Sequence, residues 1–164
     1  MERLRRHIAD VLMADARTPA SEIAAMTGTS EAEVAAEIAE MEQDNTILKY
    51  TTIVREGRLN DYETMTALIE VKVSPQREMG FDAIARRIYR FDEVESVFLM
   101  SGAYDLMVMI RGTSMREIAY FVSQRLATID GVLSTATHFV LQKYKELGVV
   151  FDVPEEEGRL PVSP

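Results

Sequence analysis

The sequence predicts an α+β chain: a winged helix-turn-helix unit followed by a ferredoxin-like βαββαβ domain. Two observations predict it. In the first fifty residues, three stretches repeat apolar residues at helical spacing, with capping residues between them. From residue 66 onward, alternating and helical patterns succeed one another as β-α-β-β-α-β. With 164 residues, the chain can bury such a core without covalent staples.

Leu4, Ile8 and Val11 recur at i, i+4, i+7 and predict the first helix. Asp15-Ala16-Arg17 ends it. Thr18 then serves as N-cap, with Pro19 at the first helical position, where its missing N–H costs nothing. Ile23, Ala24 and Met26 supply the apolar side of the second helix. Gly28-Thr29 breaks it. Ser30 and Glu33 have the spacing of a capping box opening the third helix, whose stripe is Val34, Ile38 and Met41. Asn45 falls where a left-handed residue is expected. The β-branched run from Ile47 to Val54 predicts a strand, the wing.

Turn and polar residues at 55–65 read as a connector. Ala67, Ile69, Val71 and Val73 alternate with Leu68, Glu70 and Lys72 in a half-buried strand. Phe81, Ile84, Ala85, Ile88 and Tyr89 form a helical stripe. Val94 to Met100 is an apolar strand closed by Ser101-Gly102. Tyr104, Leu106, Val108 and Ile110 share one face of the next strand. Met115, Ile118, Ala119, Val122 and Leu126 form a second stripe, and Val132 to Leu141 a last strand. The expected organisation is therefore 1–54, a connector at 55–65, a sheet domain at 66–151 and an acidic tail at 152–164, disordered by its composition. Two helices cover only one sheet face. The first and last strands are apolar on both faces, so a second subunit is the expected cover, through Met107 and Met109 among others. Met100 and Met115 are read as filling core or subunit contacts.

Composition narrows the function. There is no cysteine, which removes disulfides and thiolate chemistry, and the two histidines cannot make a histidine-rich metal site. His138 reads as a structural histidine and His7 as solvent-exposed. No catalytic constellation, metal site or cofactor motif stands out. No apolar run approaches the roughly 20 residues of a membrane span, and no signal-peptide pattern opens the chain, so the cytoplasm is the expected compartment. Eighteen Lys and Arg against twenty-seven Asp and Glu leave a net charge of -9, which opposes nonspecific polyanion binding.

Six local motifs, in order and at compatible spacing, carry a resemblance. They are Asp15-Ala16-Arg17, Ser21-Glu22-Ile23-Ala24, Gly28-Thr29-Ser30, Ile47-Leu48-Lys49-Tyr50, Ser101-Gly102-Ala103-Tyr104-Asp105-Leu106, and Gly131-Val132 with Thr135 and Thr137. Together they resemble the Lrp/AsnC family of transcription regulators over residues 1 to about 150. The resemblance implies a helix-turn-helix that docks on double-stranded DNA, with contacts at Ser21, Thr29, Ser30, Glu31, Glu33, Glu37 and Lys49. It implies a RAM-type domain that assembles a homodimer or higher oligomer. That domain would hold a small effector, such as an amino acid, near Gly102, Ala103, Tyr104, Asp105, Thr135 and Thr137, with Asp105 facing an ammonium group.

Two departures are informative. Where the family usually carries Arg on the recognition helix, this chain has Ala36, Glu37 and Glu40. Ser30 to Asn45 holds six acids and no base, and residues 1–50 hold five Lys/Arg against ten Asp/Glu, a net of -5. Phosphate contacts would then come from Arg3, Arg5, Arg6, Arg17, Lys49 and Arg55, and Glu37 is expected on the exposed DNA side. The family's Gly-Asp-Tyr-Asp is also Gly-Ala-Tyr-Asp here. Two other functions stay open: a ligand-sensing oligomer whose helix-turn-helix only packs, and a sirohaem decarboxylase-like enzyme. Against the second, Glu95-Ser96-Val97-Phe98-Leu99 has no His or Arg where such an enzyme carries its motif.

Overall fold

A computed structural model describes residues 2–59, 64–74 and 80–151. The chain divides after Val54 into two compact units. The first holds three helices, α1 (Glu2–Ala14), α2 (Ala20–Thr27) and α3 (Glu31–Gln43). Their predicted stripes converge on one core of Ile8, Ile23, Ala24, Val34 and Met41, with Leu4, Val11, Ile38 and Ile47 packed around it. Met26 is the exception. It is exposed, because α2 turns only Ile23 and Ala24 inward.

Local signals set the helix ends, with one correction. α2 starts a residue later than expected: Pro19 is its N-cap, and Pro19 O accepts from the Glu22 and Ile23 N–H groups. The Thr18 hydroxyl instead donates back to Asp15 O. Gly28 ends α2 at φ 70°, a left-handed conformation that glycine adopts without steric cost. Asn45 has φ 63°, as its position after α3 predicts. The strand expected from Ile47 to Val54 does not form, and residues 48–55 adopt no helix or strand. Thr51, Thr52, Ile53 and Val54 have the propensity, but a strand needs a ladder partner and the described part of this unit has no other strand.

The second unit is the βαββαβ domain. It runs β1 (Met65–Val73), α4 (Gly80–Ile88), β2 (Val94–Leu99), β3 (Leu106–Gly112), α5 (Met115–Phe121) and β4 (Val132–Phe139). The strands form one antiparallel sheet in the order β2-β3-β1-β4. Register sorts the faces. Ala67, Ile69 and Val71 of β1 stand opposite Ile110, Val108 and Leu106 of β3, and all six are buried with Ile84, Ile88, Ile118 and Phe121 of the helices. α5 continues into a π-helical turn, Val122–Leu126, where the Ala127 N–H reaches Val122 O. That longer turn brings both Val122 and Leu126 into the core, with Phe121 beside them; the expected stripe included Met115 and Ala119, which are exposed. Gly131 (φ 94°) sits where a Cβ would lie 2.7 Å from Ile84 Cδ1, so α4 approaches the β4 turn too closely for a side chain.

β4 is two residues shorter than expected. A hairpin follows it, β5 (Lys145–Glu146) and β6 (Val149–Val150), turning through Leu147 (φ 46°) and Gly148 (φ 85°). Arg55 and Lys143 both lie over the Phe151 ring, and Arg55 also donates to Phe151 O. The tail expected at 152–164 lies outside the described residues, as do positions 60–63 of the expected connector.

Candidate functional site

The helix-turn-helix candidates sit on α2, α3 and the turn between them, except Lys49, which lies in the irregular segment after α3. Ser30 and Glu33 make both halves of the capping box. Ser30 Oγ accepts from the Glu33 N–H at 3.2 Å, and the Ser30 N–H donates to Glu33 Oε2 at 3.0 Å. The Ser30 hydroxyl donates to the same carboxylate oxygen at 2.8 Å. These bonds, the backbone one first, hold the Glu33 carboxyl below its ordinary pKa. Two expected DNA contacts are therefore turned toward each other. The Thr29 hydroxyl is 2.7 Å from that of Thr27. Ser21, Glu31 and Lys49 are exposed, and so are Ala32, Ala35, Ala36 and Ala39 on α3.

Glu37 requires a correction. It was expected on the open DNA side, yet its side chain is only 12% exposed and faces α1, 3.6 Å from Arg5. Arg5 also pairs with Glu40 at 3.8 Å and with Asp44, and donates to the Thr46 hydroxyl at 2.9 Å. The recognition helix thus spends two of its acids, and Asp44 beyond its end, holding one arginine of α1. Arg5 is consequently not free to meet phosphate, and neither is Arg55, which is held by Phe151. Arg3, Arg6, Arg17 and Lys49 have no ion-pair partner among the described residues.

Bonds from Thr46 and Arg5 depress the Asp44 carboxyl to about 2, and Arg5 is raised in return, chiefly by its bond to Asp44. A carboxyl with a lowered native pKa stabilises the fold at pH values above its unfolded pKa of roughly 3.9, and loses that contribution as pH falls toward 2. Asp44→Asn should therefore narrow its stability gap to the parent between about pH 4 and 2, measured as the difference between their thermal midpoints at each pH. A gap that stays constant through that window would place the Arg5 clasp outside the folding equilibrium.

The effector candidates lie at one end of the sheet. Residues 101–105 join β2 to β3, with Gly102 and Ala103 exposed and Tyr104 half-buried. The Asp105 N–H donates to Val71 O at 3.1 Å, and Asp105 Oδ2 accepts from the Val73 N–H at 2.8 Å. Thr135 stands opposite the same Val71 from the other side, and Thr137 opposite Ile69. Asp105 and Thr135 thus flank one residue of β1, roughly 10 Å apart across two strand spacings. Thr137 lies a pleat further in, and both threonines share the half-buried helix-side face. Asp105 spends one oxygen tying the hairpin to β1, a role that its spacing alone does not reveal. Asp105→Ala should cost about 1–2 kcal/mol by leaving the Val73 N–H unpaired. Urea unfolding checks this, and an unchanged midpoint would refute it.

The domain's own helices, α4 and α5, pack on one face of the sheet and leave the opposite face open. The open face presents Leu68, Glu70 and Lys72 of β1, Met107, Met109 and Arg111 of β3, Ser96 and Phe98 of β2, and Ser134, Ala136 and His138 of β4. Phe98 is 55% exposed. Arg111 pairs with Glu56 at 3.0 Å and with Glu95 at 2.8 Å. His138, expected to be a structural histidine, stands exposed on this face, its Nε2 3.3 Å from Glu70 Oε1. Met100 and Met115 are exposed outside it. Among the described residues no group of three or more His, Asp or Glu is placed to hold a metal ion, and no helix is long and apolar enough to cross a membrane.

A capped three-helix unit followed by a βαββαβ sheet domain defines a two-part, helix-turn-helix regulator with a ligand-binding domain. Residues 1–42 match the AsnC-type helix-turn-helix domain and residues 66–150 the Lrp/AsnC ligand binding domain. The chain belongs to the Lrp/AsnC family of DNA-binding transcription regulators. It is 46% identical over 157 residues to the uncharacterized HTH-type transcriptional regulator YugG of Bacillus subtilis, covering 96% of this chain and 95% of that one. Among solved structures it resembles E. coli AsnC (TM-score 0.67, 23% identity, 89% of this chain and 95% of that one). It also resembles a Neisseria meningitidis transcriptional regulator in complex with L-Met (TM-score 0.69, 19% identity, 94% and 96%). Glu95–Leu99, the stretch where a sirohaem decarboxylase-like enzyme would carry its motif, lies on β2, with Glu95 paired to Arg111.

Proposed function

We propose that this protein is a homodimeric regulator whose sheet domains pair through their open faces and bind an α-amino acid beside the 101–105 loop. The observation that carries the reading is the uncovered sheet face, where Leu68, Met107 and Met109 of the two central strands form an apolar patch continued by Phe98 on edge strand β2, with Glu70 beside it. A two-fold seam presents the same patch from both copies, so a self-complementary apolar centre is what it needs. The effector half is supported by Asp105, which keeps Oδ1 for an ammonium group, and by the open Gly102 and Ala103 backbone. The L-Met held by the N. meningitidis neighbour suits the same chemistry. Titration calorimetry with the twenty amino acids tests it. Heat from one or a few of them supports the assignment, and none with any of the twenty removes it.

A two-fold dimer would place its recognition helices on half-sites about one helical turn apart, or a multiple of that. Ligand that favours one dimer arrangement over another would shift DNA affinity by that difference. With Arg5 and Arg55 already engaged, Arg3, Arg6, Arg17 and Lys49 remain for phosphates in each copy. At roughly -0.9 per contact, a single helix-turn-helix should show a log-log salt slope of about -3 to -4, and a dimer about twice that. Fluorescence anisotropy across a salt series measures it. No DNA retained even at low salt would favour the second reading, in which the helical unit only packs; the base-free surface of α3 is the observation on its side.

A further inference from the structure

The open sheet face carries one ionisable pair set against its apolar centre. Leu68 stands opposite His138, and Glu70 opposite Ala136, so the Glu70–His138 contact runs diagonally from central β1 to edge strand β4. Met107 faces Glu70 from β3. The other charged groups on this face are few. β1 adds Lys72, two residues along from Glu70. β3 adds Arg111, already held by Glu56 and Glu95, and β2 adds that same Glu95. β4 adds none besides His138, and beyond it Lys143 is paired with Glu146.

We propose that subunit association through this face is linked to protonation of His138, with the dimer tightest when the imidazole is charged. The proposal rests on the reading of the face as the dimer seam. In a free subunit both side chains are part-exposed, 57% and 36%, and water screens their attraction. Closing a second copy over them removes that water. The attraction then strengthens, and a Glu70 carboxylate without a cation becomes costly to cover. Histidine titrates ordinarily near 6.5, inside the physiological range. A group whose pKa is higher in the dimer favours the dimer fully below its free-subunit pKa, and that advantage is lost as pH rises through the dimer's pKa. Two-fold symmetry places two such pairs in the seam. A tenfold change in affinity for each of the two histidines would amount to about a hundredfold per dimer.

Net charge offers a competing source of pH dependence. Two copies at -9 repel each other, and acid relieves that repulsion whichever residue takes the proton. Salt screens the general repulsion, and it persists when His138 is replaced. Sedimentation equilibrium of the full chain, His138→Gln and Glu70→Gln, at about pH 5.5 and about pH 8.5 and at about 0.3 M salt, separates the two. For the parent we expect the dissociation constant to rise about 10- to 100-fold from the lower pH to the higher. His138→Gln should flatten that change to within about threefold, and Glu70→Gln should flatten or reverse it, since a covered histidine without its carboxylate favours the neutral form. A parent dimer with no pH dependence, or His138→Gln retaining the parent's slope, overturns the proton linkage and leaves the seam standing. A parent that stays monomeric at both pH values overturns the seam and the linkage together.

Discussion

Met109→Glu should abolish dimerisation while leaving the subunit folded. Met109 lies at the centre of the open sheet face, opposite Leu68 on β1 and Ser96 on β2. A carboxylate there remains solvated in a single subunit, because the domain's own helices, α4 and α5, pack on the other side of the sheet. In the dimer, two-fold symmetry would bury two such carboxylates in an apolar seam, and an unpaired buried charge costs about 3–5 kcal/mol. That loss corresponds to a dissociation constant more than a hundredfold higher. Sedimentation velocity at micromolar concentration should show a monomer, with the circular dichroism of the parent. A variant that remains dimeric would move the interface to another surface. Loss of the folded spectrum would instead show that Met109 belongs to the subunit's own core.

Glu37→Arg should destabilise the helical unit. From sequence, position 37 is off the Val34–Ile38–Met41 stripe, and the substitution reads as nearly neutral to folding and favourable to DNA binding. The structure reverses the expectation. The Glu37 side chain is nine-tenths covered and faces Arg5. A second arginine there would replace an attraction by a like-charge contact and leave Arg5 with Glu40 and Asp44 alone. We expect a loss of about 2–3 kcal/mol. Arg5→Glu combined with Glu37→Arg should recover part of it by restoring opposite charges, although Glu40 and Asp44 would then face a new acid. Urea unfolding of the two single variants and the double variant forms the cycle that measures the coupling. Additive effects would show that Arg5 and Glu37 do not interact.

The Glu37 case marks where reading along one element stops. Val34, Ile38 and Met41 are apolar at helical spacing, so their inward direction can be read from α3 alone. Position 37 borders that stripe, and its side chain is covered only because α1 supplies Arg5 across from it. The same holds for Ile47–Val54. Its composition is that of a strand, but pairing depends on a partner that local sequence does not contain. Asp105 has the spacing of a family ligand contact, and only the fold shows that Val73 lies within its reach, 32 residues away in the chain. The β5–β6 hairpin carried a signal in Leu147-Gly148, where two left-handed residues make a tight turn, but leucine rarely takes that conformation and the pattern was not readable as one.

The order of the elements, the core stripes of the helical unit, the capping box at Ser30 and Glu33, and the alternation that sends Ala67, Ile69 and Val71 to the helix side are all readable along the chain. These follow from interactions within a few residues and from the fixed periods of helix and strand. Tertiary structure decided which charges are free and which are spent. Arg5 with Glu37 and Asp44, Arg111 with Glu56 and Glu95, and His138 with Glu70 are all pairs between distant segments. A net charge of -9 counts their charges without revealing their partners. Coulomb attraction depends on distance and on the water left between the groups, and both are set only when the chain has folded.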